Sequence, residues 1–167
     1  MEGDHGGLEL VADREDPTHA KKRRFIEAHL ADAQKAAAEL HVPVENVLGI
    51  SALESGWGGG PFAKDGKNNF FGTHYPTPRA NGFVRAAKPP YGKISTYNSY
   101  ADSVGDFVDR YRKYIDGVKD PEEFARILQR VAKFGVNTET GEPRPGYPSS
   151  VAATARSLRQ MLGEKTI

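Results

Sequence analysis

Within "ALESGWGGGPFAKDGKNNFFG", residues 52–72, Glu54 falls seven residues after Val47 and four after Ile50. That spacing puts its carboxylate on the apolar stripe of a helix instead of its solvated face. Loss of solvation there favours the protonated form, and the negative end of the helix dipole acts in the same direction. A glutamic acid that keeps its proton near neutral pH is what a glycosidic general acid requires. The competing structural reading is a carboxylate that caps its helix or pairs with a buried arginine. Gly56, Gly58, Gly59 and Gly60 permit a sharp exit and close approach of a ligand. Trp57 offers an aromatic face suited to stacking on a sugar, or to filling a core.

These blocks occur in a fixed order. "ALESGWG" is followed by "NNFFG", by "YNSYADSVGDFVDRY", and by "GVNT…GYPSSVAATARSL". In that order they resemble the glucosaminidase family of peptidoglycan hydrolases, which includes flagellar rod-associated muramidases, autolysins and phage endolysins. The resemblance runs from about residue 20 to 163. It implies a mainly α (α+β) fold: a lysozyme-like helical domain with a small irregular β-lobe flanking a cleft. It also implies cleavage of β-1,4 bonds between GlcNAc and MurNAc in peptidoglycan, with Glu54 as general acid. Tyr147 matches the tyrosine that lies near that glutamate in the family. Asn68, Asn69, Phe70 and Gly72 match a block that lines or shapes the cleft, and Tyr97 and Ser99 mark the return from the lobe; the resemblance thus implies Glu54 and Tyr147 as catalytic residues and Trp57, Asn68, Asn69, Phe70 and Tyr97 as substrate-binding ones. On residue type alone Phe70 and Phe71 suit a core, Asn69 a turn and Ser99 a helix cap.

Lysozyme-like hydrolysis often uses two carboxylates, and here the second is hard to find. From Gly66 to Ala101 there is no Asp or Glu, whereas Lys67, Arg79, Arg85, Lys88 and Lys93 fall in the same stretch. Asp65 and Glu142 are candidates, although Asp65 in "KDGK" reads equally as a turn residue. Otherwise the substrate's 2-acetamido group substitutes for the second acid, or the reaction is a lytic transglycosylation with Glu54 as sole acid and base. A cell-wall binding module without turnover is the alternative outside enzymology. The basic lobe suits the carboxylates of peptidoglycan, or is ordinary surface charge.

The elements that position these residues follow from periodicity. Phe25, Ile26, Leu30, Ala33, Ala37 and Leu40 predict a helix over 18–40, whose basic start "KKRR" reads as a solvated face. Residues 41–55 form a second helix, with Pro43 in its first turn and Gly56 just past its end. "GFVRAAKPPYGKISTY" reads as a hairpin within a lobe spanning about 57–98. Ser99 and Asp102 open a helix over 100–115, Asp120 and Pro121 open one over 121–134, and a last helix runs from about Ser149 to Leu162. The domain covers 18–167, and residues 1–17 read as a flexible segment or linker.

The 167 residues carry 23 Lys+Arg and 22 Asp+Glu, and the net charge of +1 gives no electrostatic case for nucleic acid. There are no cysteines, so disulfides and thiolate-bound metals are excluded. His5, His19, His29, His41 and His74 lack metal-ligand spacing. No phosphate loop or serine-nucleophile motif is present, so neither a metal nor an organic cofactor is expected. No apolar run approaches a membrane span, and no secretory signal opens the chain. The expected place of action is therefore the periplasm or cell wall, reached by a non-classical route or as part of a longer lysin or effector. An immunity protein is a further expected partner.

Overall fold

The computed structural model describes residues 15–166, without the side chains of 164–166. The start of the expected flexible segment, residues 1–14, lies outside the described residues. Its last residues take part in structure: Asp16 accepts a hydrogen bond from the His19 amide, and Glu15 pairs with Arg23. With Pro17 in the first position, Asp16 starts helix α1 (Pro17–Leu40). The buried faces of Phe25, Ile26, Ala33, Ala37 and Leu40 follow the expected stripe.

Helix α2 (Val44–Ser55) begins one residue after Pro43, which serves as the N-cap and not as a first-turn residue. It stops at Gly56, whose φ of +58° is the left-handed geometry that favours glycine. Strands β1 (Gly82–Arg85) and β2 (Lys93–Thr96) pair antiparallel, with Phe83 opposite Ser95 and Val84 opposite Ile94. Helix α3 (Tyr100–Ile115) is capped by Ser99, which accepts from the Asp102 amide. Helix α4 (Pro121–Ala132) is capped by Asp120, which accepts from the Glu123 amide. It ends two residues early because Lys133 turns left-handed at φ +61°, which lets Phe134 fold back into the core. Helix α5 (Tyr147–Thr166) begins two residues earlier than the sequence suggests. Pro148 is tolerated there because a first-turn residue has no intrahelical amide bond to lose.

The described residues thus form five helices and one two-stranded sheet, the mainly helical body with a small lobe that the sequence predicts. Helix α2 lies at the centre and packs chiefly against α5 and α1. A Cβ on Gly49 would stand only 3.4 Å from the Ala155 backbone, so a side chain there would hold α2 and α5 apart. Arg159 pairs with Glu45 at the opposite end of this crossing. The two helices run antiparallel, and the last turn of α2 meets the first turn of α5. That meeting point carries Glu54 and Tyr147.

The lobe is fixed to the body by polar contacts. Tyr97 is fully buried, and its hydroxyl donates to Asp106 of α3 at 2.8 Å. The Arg79 side chain lies across Gly105 and pairs with Asp109 at 3.1 Å. Among the described residues, no helix is long and apolar enough to cross a membrane.

Candidate active site

Glu54 is half-buried at the end of α2. The Tyr147 hydroxyl donates to its Oε2 at 2.7 Å. The other oxygen, Oε1, faces Gly72, where an added Cβ would stand 3.7 Å away. Burial raises the Glu54 pKa above the usual carboxylate range, while the bond from Tyr147 and the positive charge of Arg144 pull partly against it. The Tyr147 hydroxyl is itself pushed well up by burial and by the adjacent carboxylate, so it acts as a donor and stays un-ionised.

A pocket of about 510 Å³ opens beside this pair, lined by Leu53, Glu54, Arg144, Gly146, Tyr147 and Ser150. Among the described residues Glu54 is the sole carboxylate lining it. Asp65 and Glu142 are both exposed and neither lines it. Asp65 sits in a turn with φ +58°, before Gly66. Glu142 lies in the loop before α5, its backbone carbonyl accepting from the Asn137 amide.

The "NNFFG" block faces inward. Asn69 is 2% exposed and its side chain makes four hydrogen bonds. Its amide donates to the carbonyls of Thr73 and Ser95, and its oxygen accepts from the amides of Phe71 and Thr73. Asn68 takes a left-handed φ of +56° and donates to the Gly66 and Tyr97 carbonyls. Phe70 packs among Phe25, His29 and Tyr100. Asn69, Phe70 and Tyr97, expected to bind substrate, are buried in this structure, and none of them lines the pocket beside Glu54. Gly72, at the end of the block, is the member that reaches Glu54.

Trp57 is half-buried with its edge against Phe25, and Lys22 lies over its ring at 5.1 Å. The "KKRR" run is accordingly not a simple solvated face: Lys22 covers the tryptophan and Arg23 pairs with Glu15 and Glu27. Ser55 braces the glycine exit, donating to the Ser51 carbonyl at 2.6 Å and accepting from the Gly58 amide at 3.0 Å.

Tyr147 belongs to the helix and not to the preceding loop, and it is 7% exposed. Its ring rests on Gly135, where a Cβ would stand 2.2 Å from the ring. Gln129 fastens this region, its amide donating to the carbonyls of Gly135 and Arg144. Arg144, Ser150, Gly135 and Gln129 were not expected from the sequence. Ser150 was within reach, since it follows Tyr147 by three residues on one helix face. Arg144 enters through a non-local fold of the loop. No group of His, Asp or Glu among the described residues is arranged to hold a metal ion.

The sequence pattern of the family Glucosaminidase, described as mannosyl-glycoprotein endo-beta-N-acetylglucosaminidase, matches residues 30–160. The chain is 31% identical over 158 residues to the peptidoglycan hydrolase FlgJ of Pseudomonas aeruginosa, covering 84% of this chain and 38% of that protein. Among solved structures it is similar to one of a type VI secretion system effector–immunity complex from Pseudomonas protegens. There the TM-score is 0.70 and the identity 31%, with 84% of this chain and 92% of that one covered. It is also similar to a peptidoglycan hydrolase from Sphingomonas sp. A1, with a TM-score of 0.67, 27% identity, and coverage of 84% and 93%.

Proposed function

The chain belongs to the glucosaminidase family, and from that premise we propose that it hydrolyses the β-1,4 glycosidic bonds of peptidoglycan with Glu54 as general acid. The observation that carries this reading is the half-buried Glu54 carboxyl group, its pKa raised by burial, held by Tyr147 at the wall of an open pocket. In this reading Tyr147 occupies Oε2 as a donor and Oε1, the oxygen facing Gly72, carries the acid proton. From there it passes to the glycosidic oxygen as the bond to C1 breaks.

Among the described residues Glu54 is the sole carboxylate on the pocket wall, which favours assistance from the substrate. The oxygen of the 2-acetamido group attacks C1 as the leaving sugar departs, giving a cyclic oxazolinium. Water then adds to C1 with Glu54, now ionised, taking its proton, and the acetamide is restored. The same arrangement supports a second reading, lytic transglycosylation, in which the muramyl 6-hydroxyl replaces water.

Purified sacculi treated with the chain, followed by mass spectrometry of the soluble fragments, separate these outcomes. Reducing GlcNAc or MurNAc ends mark hydrolysis and identify the bond. 1,6-Anhydro-MurNAc ends mark transglycosylation. Binding to sacculi without release marks a binding module and refutes the enzyme reading. The substrate places the activity in the periplasm or cell wall. The similarity to an effector–immunity complex supports an inhibitory immunity protein as partner, testable by co-purification with candidate immunity proteins.

A further inference from the structure

Arg144 brings a positive charge into a pocket whose chemistry, as derived above, has no step that uses one. Its backbone is tightly held: its amide donates to the Gly135 carbonyl at 2.9 Å, and its carbonyl accepts from Gln129 at 3.0 Å and from the Tyr147 amide at 3.1 Å. The guanidinium, by contrast, has no ion pair among the described residues; several surface arginines share that state, and Arg144 differs from them in standing on the wall of the pocket that holds Glu54. Arg144 is exposed and lines the pocket together with Glu54, Tyr147 and Ser150. A cation on a fixed backbone, with its donors open to a ligand pocket, is arranged to receive an anion, and a planar guanidinium matches a carboxylate with two parallel bonds.

We propose that Arg144 is a specificity-determining residue that binds a carboxylate of the substrate beside the scissile bond. The inference rests on the peptidoglycan reading above, because those glycan strands carry such groups. The lactyl ether of MurNAc ends in a carboxyl that is free on a denuded strand, and the stem peptide supplies others on an intact one. Ser150 adds a hydroxyl on the same wall. Glu54 would feel the pairing, since Arg144 holds its pKa down in the free protein and a bound carboxylate offsets that charge. Substrates bearing the anion would thereby reinforce protonation of the acid that cleaves them.

The test compares wild type, Arg144→Gln and Arg144→Lys on three kinds of substrate. These are intact sacculi, amidase-stripped strands with free lactyl carboxylates, and each of these with its carboxylates converted to neutral methylamides. Neutralisation is expected to lower wild-type kcat/KM by about tenfold, the scale of one charge-assisted contact at a partly solvated site. The stripped or intact pair that shows the loss identifies the lactyl or the stem-peptide carboxylate as the ligand. Arg144→Gln is expected to show the same loss on charged substrates, to be indifferent to neutralisation, and to be partly rescued by lysine. Binding of a tetrasaccharide carrying the carboxylate so identified, stripped for the lactyl group or with its stem peptides otherwise, to Glu54→Gln with and without Arg144→Gln should show a parallel drop in affinity without turnover. Wild-type activity on charged substrates retained in full by Arg144→Gln, or equal sensitivity of both proteins to neutralisation, overturns the inference alone. A wild type inert on every substrate overturns the glycosidase reading and this inference with it.

Discussion

Replacing Gly135 by alanine tests how the fold holds the acid. Gly135 has φ +65°, and the new Cβ would lie 2.2–2.5 Å from three ring carbons of Tyr147. Carbon atoms in contact settle at about 3.5–4.0 Å, so the ring must retreat by roughly an ångström. A 2.7 Å hydrogen bond to Glu54 does not survive that movement. The variant combines two costs. A left-handed alanine costs about 1–2 kcal/mol, and overpacking against a fixed ring adds about 1–3 kcal/mol. Gly141 separates them, because its φ is +75° and a Cβ there meets nothing within 4 Å. Urea unfolding of both variants should therefore show Gly135→Ala less stable than Gly141→Ala by about 1–3 kcal/mol. In a sacculus turbidity assay Gly135→Ala should lose most of its activity, and Gly141→Ala should keep it. In a Tyr147→Ala background the two substitutions should cost the same, since the ring that couples Gly135 to Glu54 is gone. Equal stability and equal activity of the two single variants would refute the claim that Gly135 positions Tyr147.

Three further outcomes follow from the site. Burial raises the Glu54 pKa, so the folded state binds that proton more tightly than the unfolded chain. Its contribution to stability is complete at acid pH and fades as pH rises through the elevated folded value. Glu54→Gln should therefore melt above wild type at neutral pH and converge with it at acid pH, and a pH-independent difference would contradict the assignment. Arg144→Gln removes a charge that lowers the Glu54 pKa, so the alkaline limb of the kcat/KM profile should move to higher pH. Ser55→Ala leaves the Gly58 amide without the acceptor it now has, and thermal or urea unfolding should show a loss of about 1–2 kcal/mol.

Much of this arrangement was legible in the sequence because it is local. The helical repeat aligns Val47, Ile50 and Glu54, although α2 is buried on nearly every side and has no solvated face to contrast with that stripe, and the caps at Ser99 and Asp120 mark the starts of their helices. Gly56 likewise marks the end of α2. Where regular periodicity fails, so does assignment of faces. Between Asn68 and Gly72 the chain is irregular, and three consecutive residues, Asn69, Phe70 and Phe71, are buried. No two- or four-residue repeat could have separated the supporting residues there from Gly72, which reaches the acid. Tyr147 resembled a loop residue because Gly146 and Pro148 flank it, yet proline is compatible with a first helical turn. Arg144 reaches the pocket only because its loop folds back on Gly135, a non-local contact that local spacing does not encode.

In the proposed reaction Glu54 supplies the proton that breaks the glycosidic bond. The most direct measurement is the rate of soluble muropeptide release from purified sacculi by wild type and by Glu54→Gln. Glutamine keeps the shape of the side chain and an acceptor for Tyr147, and it removes the ionisable proton. Release by wild type is expected, with a rate lower by about 10²–10⁴-fold for Glu54→Gln with the fold intact. Release at the wild-type rate by Glu54→Gln would contradict that role for Glu54.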